Sequence, residues 1–111
     1  MSLEGLWTAE FYGLHGWENT GVLRLRDGHA AGGGRHHYSV GTYSVSENAM
    51  SLSLEINYHG ERRVLFGSSD TPLFLEFDGE HHGDTIEGNV YRVDNSKQTL
   101  IFRLTKRAEI P

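Results

Sequence analysis

The stretch MSLSLEINY, residues 50–58, decides the fold class. Apolar side chains occupy every second position from Met50 to Tyr58, and serine, glutamate or asparagine fills the positions between them. A β-strand places successive side chains on opposite faces of a sheet, so this period of two gives the strand one apolar and one polar face. A helix would spread the same apolar residues around its whole circumference. The stretch therefore predicts a half-buried strand.

Shorter stretches repeat the pattern of β-forming residues before and after this one. They cover residues 7–11, 21–26, 38–43, 64–66, 73–78, 85–91 and 99–105. Turn-forming groups such as Asp27-Gly28, Ser46-Glu47-Asn48 and His82-Gly83-Asp84 separate them. Short hairpins linking about eight strands favour an all-β, closed or nearly closed up-and-down antiparallel barrel, because closure leaves no strand edge exposed. A two-sheet sandwich is the competing architecture.

Length and composition limit the classes of protein that the chain can form. The 111 residues fit one domain, 1–111, in which residues 1–4 are expected to be a disordered end or a vector remnant. Apolar residues make up 37%, and no apolar run approaches the roughly 20 residues of a membrane helix. The start of the chain lacks the basic and apolar regions of a secretion signal, so we expect a soluble, cytoplasmic protein without membrane contact.

Charge and the absence of cysteine exclude further classes. Ten basic residues against fifteen acidic ones give a net charge of -5, which opposes direct binding of nucleic acid. The basic groups Glu61-Arg62-Arg63 and Lys106-Arg107 are too short to line a phosphate groove. Without cysteine there are no disulfides, thiolate nucleophiles or cysteine-ligated zinc.

The seven histidines include two adjacent pairs, His36-His37 and His81-His82. Neighbours on a strand point to opposite faces, so neither pair can hold one ion through both rings. A site completed by His29 or His59 from another strand stays open, but exposed turn and strand-end positions are the favoured interpretation. We therefore predict no metal and no cofactor.

Two further motifs have residue types that occur in phosphate-binding or catalytic sites. Gly32-Gly33-Gly34 leads into a strand and not into a helix, which favours a bulge or sharp bend at a barrel corner over a phosphate loop. Gly67-Ser68-Ser69 lacks the surroundings of a nucleophile elbow. Charged residues in the alternating stretches fall opposite the apolar ones, so the interior is expected to be free of titratable groups. No catalytic residue and no enzymatic activity are predicted.

The predicted interior consists of the apolar face of each strand. Its members are Trp7, Leu23, Leu25, Tyr38, Val40, Met50, Leu52, Leu54, Ile56, Leu73, Leu75, Phe77, Ile86, Val90, Leu100, Phe102 and Leu104. These side chains either fill the barrel as a core or line a pocket for an apolar, lipid-like ligand. Their size and the shortness of the strands favour the core. On the outside, Tyr12, Tyr43, Tyr91 and Ile101 are predicted to form a partner-binding or dimer surface, because aromatic residues dominate such interfaces.

The first strand carries a motif that resembles other barrels. Gly5-Leu6-Trp7 is similar to the Gly-x-Trp opening of lipocalin-like barrels. In that superfamily an arginine near the end of the last strand stacks on the tryptophan. The resemblance implies this role for Arg103 or Arg107.

A longer series of motifs resembles the GrlR-like family, small bacterial lipocalin-like barrels named for a negative regulator of type III secretion. The series comprises Gly5-Leu6-Trp7 with Glu10-Phe11, Gly21-Val22 before Asp27-Gly28, Gly32-Gly33, Tyr38-Ser39-Val40-Gly41-Thr42-Tyr43, Phe66-Gly67 and Gly83-Asp84-Thr85-Ile86-Glu87-Gly88. The resemblance implies a cytosolic, often homodimeric regulator that binds a protein partner such as a transcriptional regulator. The named regulator captures its partner with an acidic Glu-Asp-Glu-Asp motif. The matching positions here are 47–50, of which only Glu47 is acidic.

Overall fold

The computed structural model describes residues 3–13, 16–35, 37–58 and 72–110. They form eight strands: β1 (Gly5–Gly13), β2 (Gly16–Arg26), β3 (His29–Gly33), β4 (His37–Ser46), β5 (Ala49–Tyr58), β6 (Leu73–His82), β7 (Thr85–Arg92) and β8 (Asn95–Ala108). Each strand pairs antiparallel with the next, and β8 pairs with β1 to close the barrel. The described residues contain no helix. The predicted all-β, up-and-down antiparallel barrel of about eight strands is confirmed.

One of the eight strands is not among those predicted. Strand β3 pairs along its whole length with β2 and β4, although its glycines had suggested a bend. A Cβ at Gly32 would collide with the backbone carbonyl of Val22, so glycine permits a close approach of neighbouring strands inside a regular ladder. The prediction of a bend or bulge at Gly32-Gly33-Gly34 is therefore wrong for Gly32 and Gly33. The predicted strand at residues 64–66 lies outside the described residues.

The core consists of the inward-facing side chains of successive strands, and it contains most of the predicted interior. Phe77 lies at its centre, with its ring centroid 6.0 Å from that of Phe11 and 5.0 Å from that of Phe102. Leu100 is only partly buried and packs against this cluster. The predicted residues that are buried are Trp7, Leu23, Leu25, Met50, Leu52, Leu54, Ile56, Leu73, Leu75, Phe77, Ile86, Val90, Phe102 and Leu104.

The side chains of strand β4 point to the opposite faces from those predicted. Tyr38 and Val40 are 49% and 46% exposed, whereas Ser39 between them is 4% exposed. Ser39 lies opposite Ile56, and Gly41 lies opposite Leu54, so small side chains on β4 face large ones on β5. The barrel has room for only one large side chain at each of these levels, which is why the polar and small residues of β4 face inward.

Two titratable side chains are buried at opposite ends of the barrel, which corrects the expectation of a charge-free interior. At one end, Arg92 donates hydrogen bonds from Nε and Nη2 to the carboxylate of Asp94, at 2.7 and 2.6 Å. These hydrogen bonds lower the pKa of Asp94. At the other end, His81 is buried, with Nε2 2.6 Å from the carbonyl oxygen of Gly83. The prediction that His81 is exposed is therefore wrong, while His82 projects into solvent from the other face.

The residues before β1 help to close the end of the barrel that contains His81. Leu3 is buried, and its carbonyl oxygen accepts a hydrogen bond of 2.8 Å from Nε1 of Trp7. The backbone N–H of Asp27 donates to the carboxylate of Glu4. Leu3 and Glu4 are therefore ordered against the barrel, which corrects the expected disorder at these two residues. Residues 1 and 2 lie outside the described residues.

Candidate functional site

Two of the predicted partner-binding residues lie side by side on the outside of the barrel. Tyr12 on β1 is directly opposite Ile101 on β8, and their side chains are 50% and 51% exposed. Ile101 also lies opposite Asn89 on β7, so Tyr91, two residues further along β7, is its diagonal neighbour. Tyr91 is partly exposed. The sequence thus located three residues of one outer surface.

The other two predicted residues do not belong to this surface. Tyr43 lies opposite Leu52 and packs against the core, so its predicted outward orientation is wrong for the same reason as the predicted inward orientation of Tyr38 and Val40. Burial raises the pKa of its hydroxyl. Glu47 is exposed in the turn between β4 and β5, at the end of the barrel opposite to Tyr12.

Two residues that the sequence interpretation missed complete the surface. Trp17 lies opposite Tyr12 in the β1–β2 register, and the two rings meet edge to face with centroids 5.4 Å apart. Arg103 lies over the Trp17 ring, with Cζ 4.2 Å from the ring centroid. We call Tyr12, Trp17, Ile101 and Arg103 the aromatic face.

A shift in the β1–β2 register explains why Trp17 points outward. Ala9 lies opposite Gly21, but Glu10 lies opposite Asn19, so Thr20 is an extra residue in β2. The hydroxyl of Thr20 donates to the carbonyl oxygen of Ala9 at 3.2 Å. One extra residue reverses which side chains of a strand face outward. Trp17 therefore points outward, although it lies an even number of residues before the buried Leu23 and would face inward in a regular strand.

The charges of the aromatic face are paired within it. The Glu10 carboxylate accepts hydrogen bonds from Nε and Nη2 of Arg103 at 3.3 and 3.2 Å. This contact fixes the guanidinium over Trp17, and the same arginine is therefore not available to Trp7. The predicted stacking of Arg103 or Arg107 on Trp7 is wrong: Arg107 donates to the hydroxyl of Thr8, and the edge of His81 faces Trp7.

The barrel interior is the alternative site. Its largest side chains, among them Trp7, Phe77 and Phe102, are less than 2% accessible to water, so they contact one another and leave no water-sized space beside them. In the described part of the barrel this packing favours a filled core over a pocket.

The predicted chemical motifs are only partly within the described residues. His36, His59 and Gly67-Ser68-Ser69 lie outside them, and His29 is an exposed residue of β3. Within the described ranges, no group of three or more histidine, aspartate or glutamate side chains is arranged to hold a metal ion. These ranges also include no helix of the length and hydrophobicity needed to cross a membrane.

A comparison of the chain with models of protein families finds no match, and a comparison with curated proteins finds none either.

Proposed function

We propose that this protein acts by binding another protein, without catalysing a reaction, and that the aromatic face is its contact surface. The observation that carries the proposal is the outward-facing cluster of Tyr12 and Trp17, which are exposed, and Arg103, which is partly exposed. These three residue types are the ones that contribute most of the binding energy in protein interfaces. Ile101 extends the same surface with an apolar side chain.

The cluster is organised before any partner arrives, which supports a binding role. Glu10 holds Arg103, Arg103 covers Trp17, and Tyr12 contacts the edge of Trp17. Ordering long or aromatic side chains on association costs about 0.5–1.5 kcal/mol for each one, and side chains that are already ordered avoid much of that cost.

The regulatory part of the proposal rests on the motif series that resembles the GrlR-like family. We propose a cytoplasmic protein that sequesters its partner, such as a transcriptional regulator. A homodimer would use the same aromatic face, because Glu10 and Arg103 neutralise each other and two copies would not repel one another there.

Site-specific crosslinking tests the proposal. Benzoylphenylalanine replaces Tyr12, and irradiation is carried out in the cells that express the protein. We expect a defined partner protein to be crosslinked, and the purified partner to bind the wild-type chain about 30-fold more tightly than the Trp17→Ala variant, since a tryptophan hot spot contributes at least about 2 kcal/mol.

The matched control is Ser44, an exposed residue on β4 at the far side of the barrel. The same photoreactive residue at position 44 should not crosslink that partner, and Ser44→Ala should leave the affinity unchanged. Equal crosslinking from both positions, or equal affinity of wild type and Trp17→Ala, would contradict the proposal.

A further inference from the structure

A groove of about 370 Å³ crosses the outer surface of β4, β5 and β6. In a barrel of eight sequential strands, these strands lie across from β1, so the groove and the aromatic face are on opposite sides of the molecule. The groove is therefore a separate surface that the proposed function does not use.

Apolar side chains form the walls of the groove. Val40 on β4 stands on one side, and Phe74 on β6 on the other; both are about half exposed. Val93, just after β7, lies beside Phe74, since its backbone N–H donates to the Phe74 carbonyl oxygen at 3.0 Å, and it also lines the groove. Two strand spacings separate β4 from β6, so the walls are about 10 Å apart, the width of one extended peptide segment.

Two acidic side chains line the groove between and beside these walls. Glu55 lies in the same cross-strand row as Val40 and Phe74, and Glu76 lies opposite Ser53 in the adjacent row. Their hydrogen-bond donors are neutral: the Asn57 amide for Glu55 at 2.9 Å, and the Ser53 hydroxyl for Glu76 at 2.7 Å. Within the described part of the chain, neither carboxylate has a lysine or arginine partner.

We infer that the groove binds an extended segment of another protein in which an apolar residue is followed two positions later by lysine or arginine. Residues i and i+2 of an extended chain are on the same side and about 7 Å apart, as are the two rows of the groove. The apolar side chain would lie between Val40, Phe74 and Val93. The cation would lie against Glu76 and Glu55, and none of the described residues that line the groove is basic.

A second copy of this chain does not fit the same groove. Two grooves facing each other across a two-fold axis would bring Glu55 and Glu76 of one copy towards those of the other, and like charges so placed oppose association. The chemistry of the groove selects a basic partner segment.

Fluorescence anisotropy with a labelled probe peptide tests this inference on the full chain. In the probe, a leucine and two lysines occupy alternate positions between serines; the control peptide has glutamates in place of the lysines. We expect saturable binding of the lysine probe only. Phe74→Ser should weaken it about tenfold through loss of apolar contact, and E55Q/E76Q about tenfold through loss of charge.

Two control variants make the test specific. Tyr12→Ser removes an exposed aromatic ring from the aromatic face, and E80Q/E87Q removes two facing acidic residues outside the groove. Both should bind the lysine probe as the wild type does, whether or not the aromatic face binds a partner. Equal weakening by E80Q/E87Q, unchanged binding by Phe74→Ser, or a dimer that Phe74→Ser dissociates would each overturn the inference.

Discussion

Tyr43 shows how the environment of one residue affects the stability of the barrel. Its ring packs against the core, and burial is the largest of the causes that raise the pKa of its hydroxyl above the ordinary value of 10.0. Nearby Glu4 and Asp27 raise the pKa further, and a backbone hydrogen bond from Gly28 partly opposes this. The folded chain therefore retains this proton at a pH where the unfolded chain has lost it.

The alkaline stability of Tyr43→Phe tests this effect. The contribution of Tyr43 is fully present below pH 10.0, the unfolded value, and is lost as the pH rises from there through the folded pKa. Between about pH 9 and pH 11, urea unfolding should show a shallower loss of stability for Tyr43→Phe than for wild type. Tyr12→Phe, which removes the same atom from an exposed tyrosine, is the matched control. Equal pH slopes for Tyr43→Phe and wild type would contradict this account.

Within the aromatic face, the sequence could predict the orientation of some residues and not of others. Tyr12 and Ile101 were predictable because each lies between inward-facing residues of a regularly alternating strand. Trp17 was not, because its orientation depends on the extra residue at Thr20, and a bulge is visible only from the register with β1. Arg103 was predictable as an outward residue, but its contact with Trp17 follows from that same register.

At the scale of the strand, an alternating sequence predicts which side chains face inward only where one of the two alternating sets of residues, or phases, is clearly apolar. Strand β5 meets this condition, since serine, glutamate and asparagine occupy its outward phase. Strand β4 has β-forming residues in both phases, and the size of Leu54 and Ile56 on the neighbouring strand decides which phase faces inward. Strand β3 is rich in alanine and glycine, which have weak β-propensity, so its sequence could not distinguish a strand from a bend.

The close pairing of β4 with β5 explains why position 41 is a glycine, and a substitution of Gly41 tests this explanation. Its inward position lies so close to β5 that a Cβ would collide with the carbonyl oxygen of Ser53. Gly41→Ala should therefore lower the free energy of unfolding by at least about 2 kcal/mol, because the two strands must separate locally. Urea unfolding followed by circular dichroism measures this.

Gly13 provides the control for Gly41. It ends β1, and among the described residues an added Cβ would meet only the flexible carboxylate end of Glu18, at 3.4 Å. Gly13→Ala should change the stability by no more than about 0.5 kcal/mol. If the two variants were equally stable, the close approach of β4 and β5 could not be the reason for glycine at position 41.

At the scale of the whole molecule, closure of the barrel directs association to side-chain surfaces. Every described strand pairs with a neighbour on each side, so the described barrel has no free edge strand to pair with another chain along its whole length. The two candidate surfaces differ in charge: Arg103 neutralises Glu10 on the aromatic face, whereas the carboxylates of Glu55 and Glu76 in the groove have no cationic partner among the described residues. We therefore propose that the groove suits a basic partner and that, of the two surfaces, the aromatic face suits a second copy.

Sedimentation of the full chain tests whether two copies associate through the aromatic face and not through the groove. At about 50 µM, a concentration high enough to populate a weak complex with a small interface, we expect a homodimer formed through the aromatic face. Trp17→Ala should raise the dimer dissociation constant about 30-fold for each of the two Trp17 side chains at a symmetric interface, and so give a monomer at that concentration. Phe74→Ser, which changes an exposed aromatic residue in the groove, should remain a dimer. A wild-type monomer at 50 µM would exclude the homodimer, and a dimer lost in Phe74→Ser but kept in Trp17→Ala would show that the groove, despite its like charges, is the surface of association.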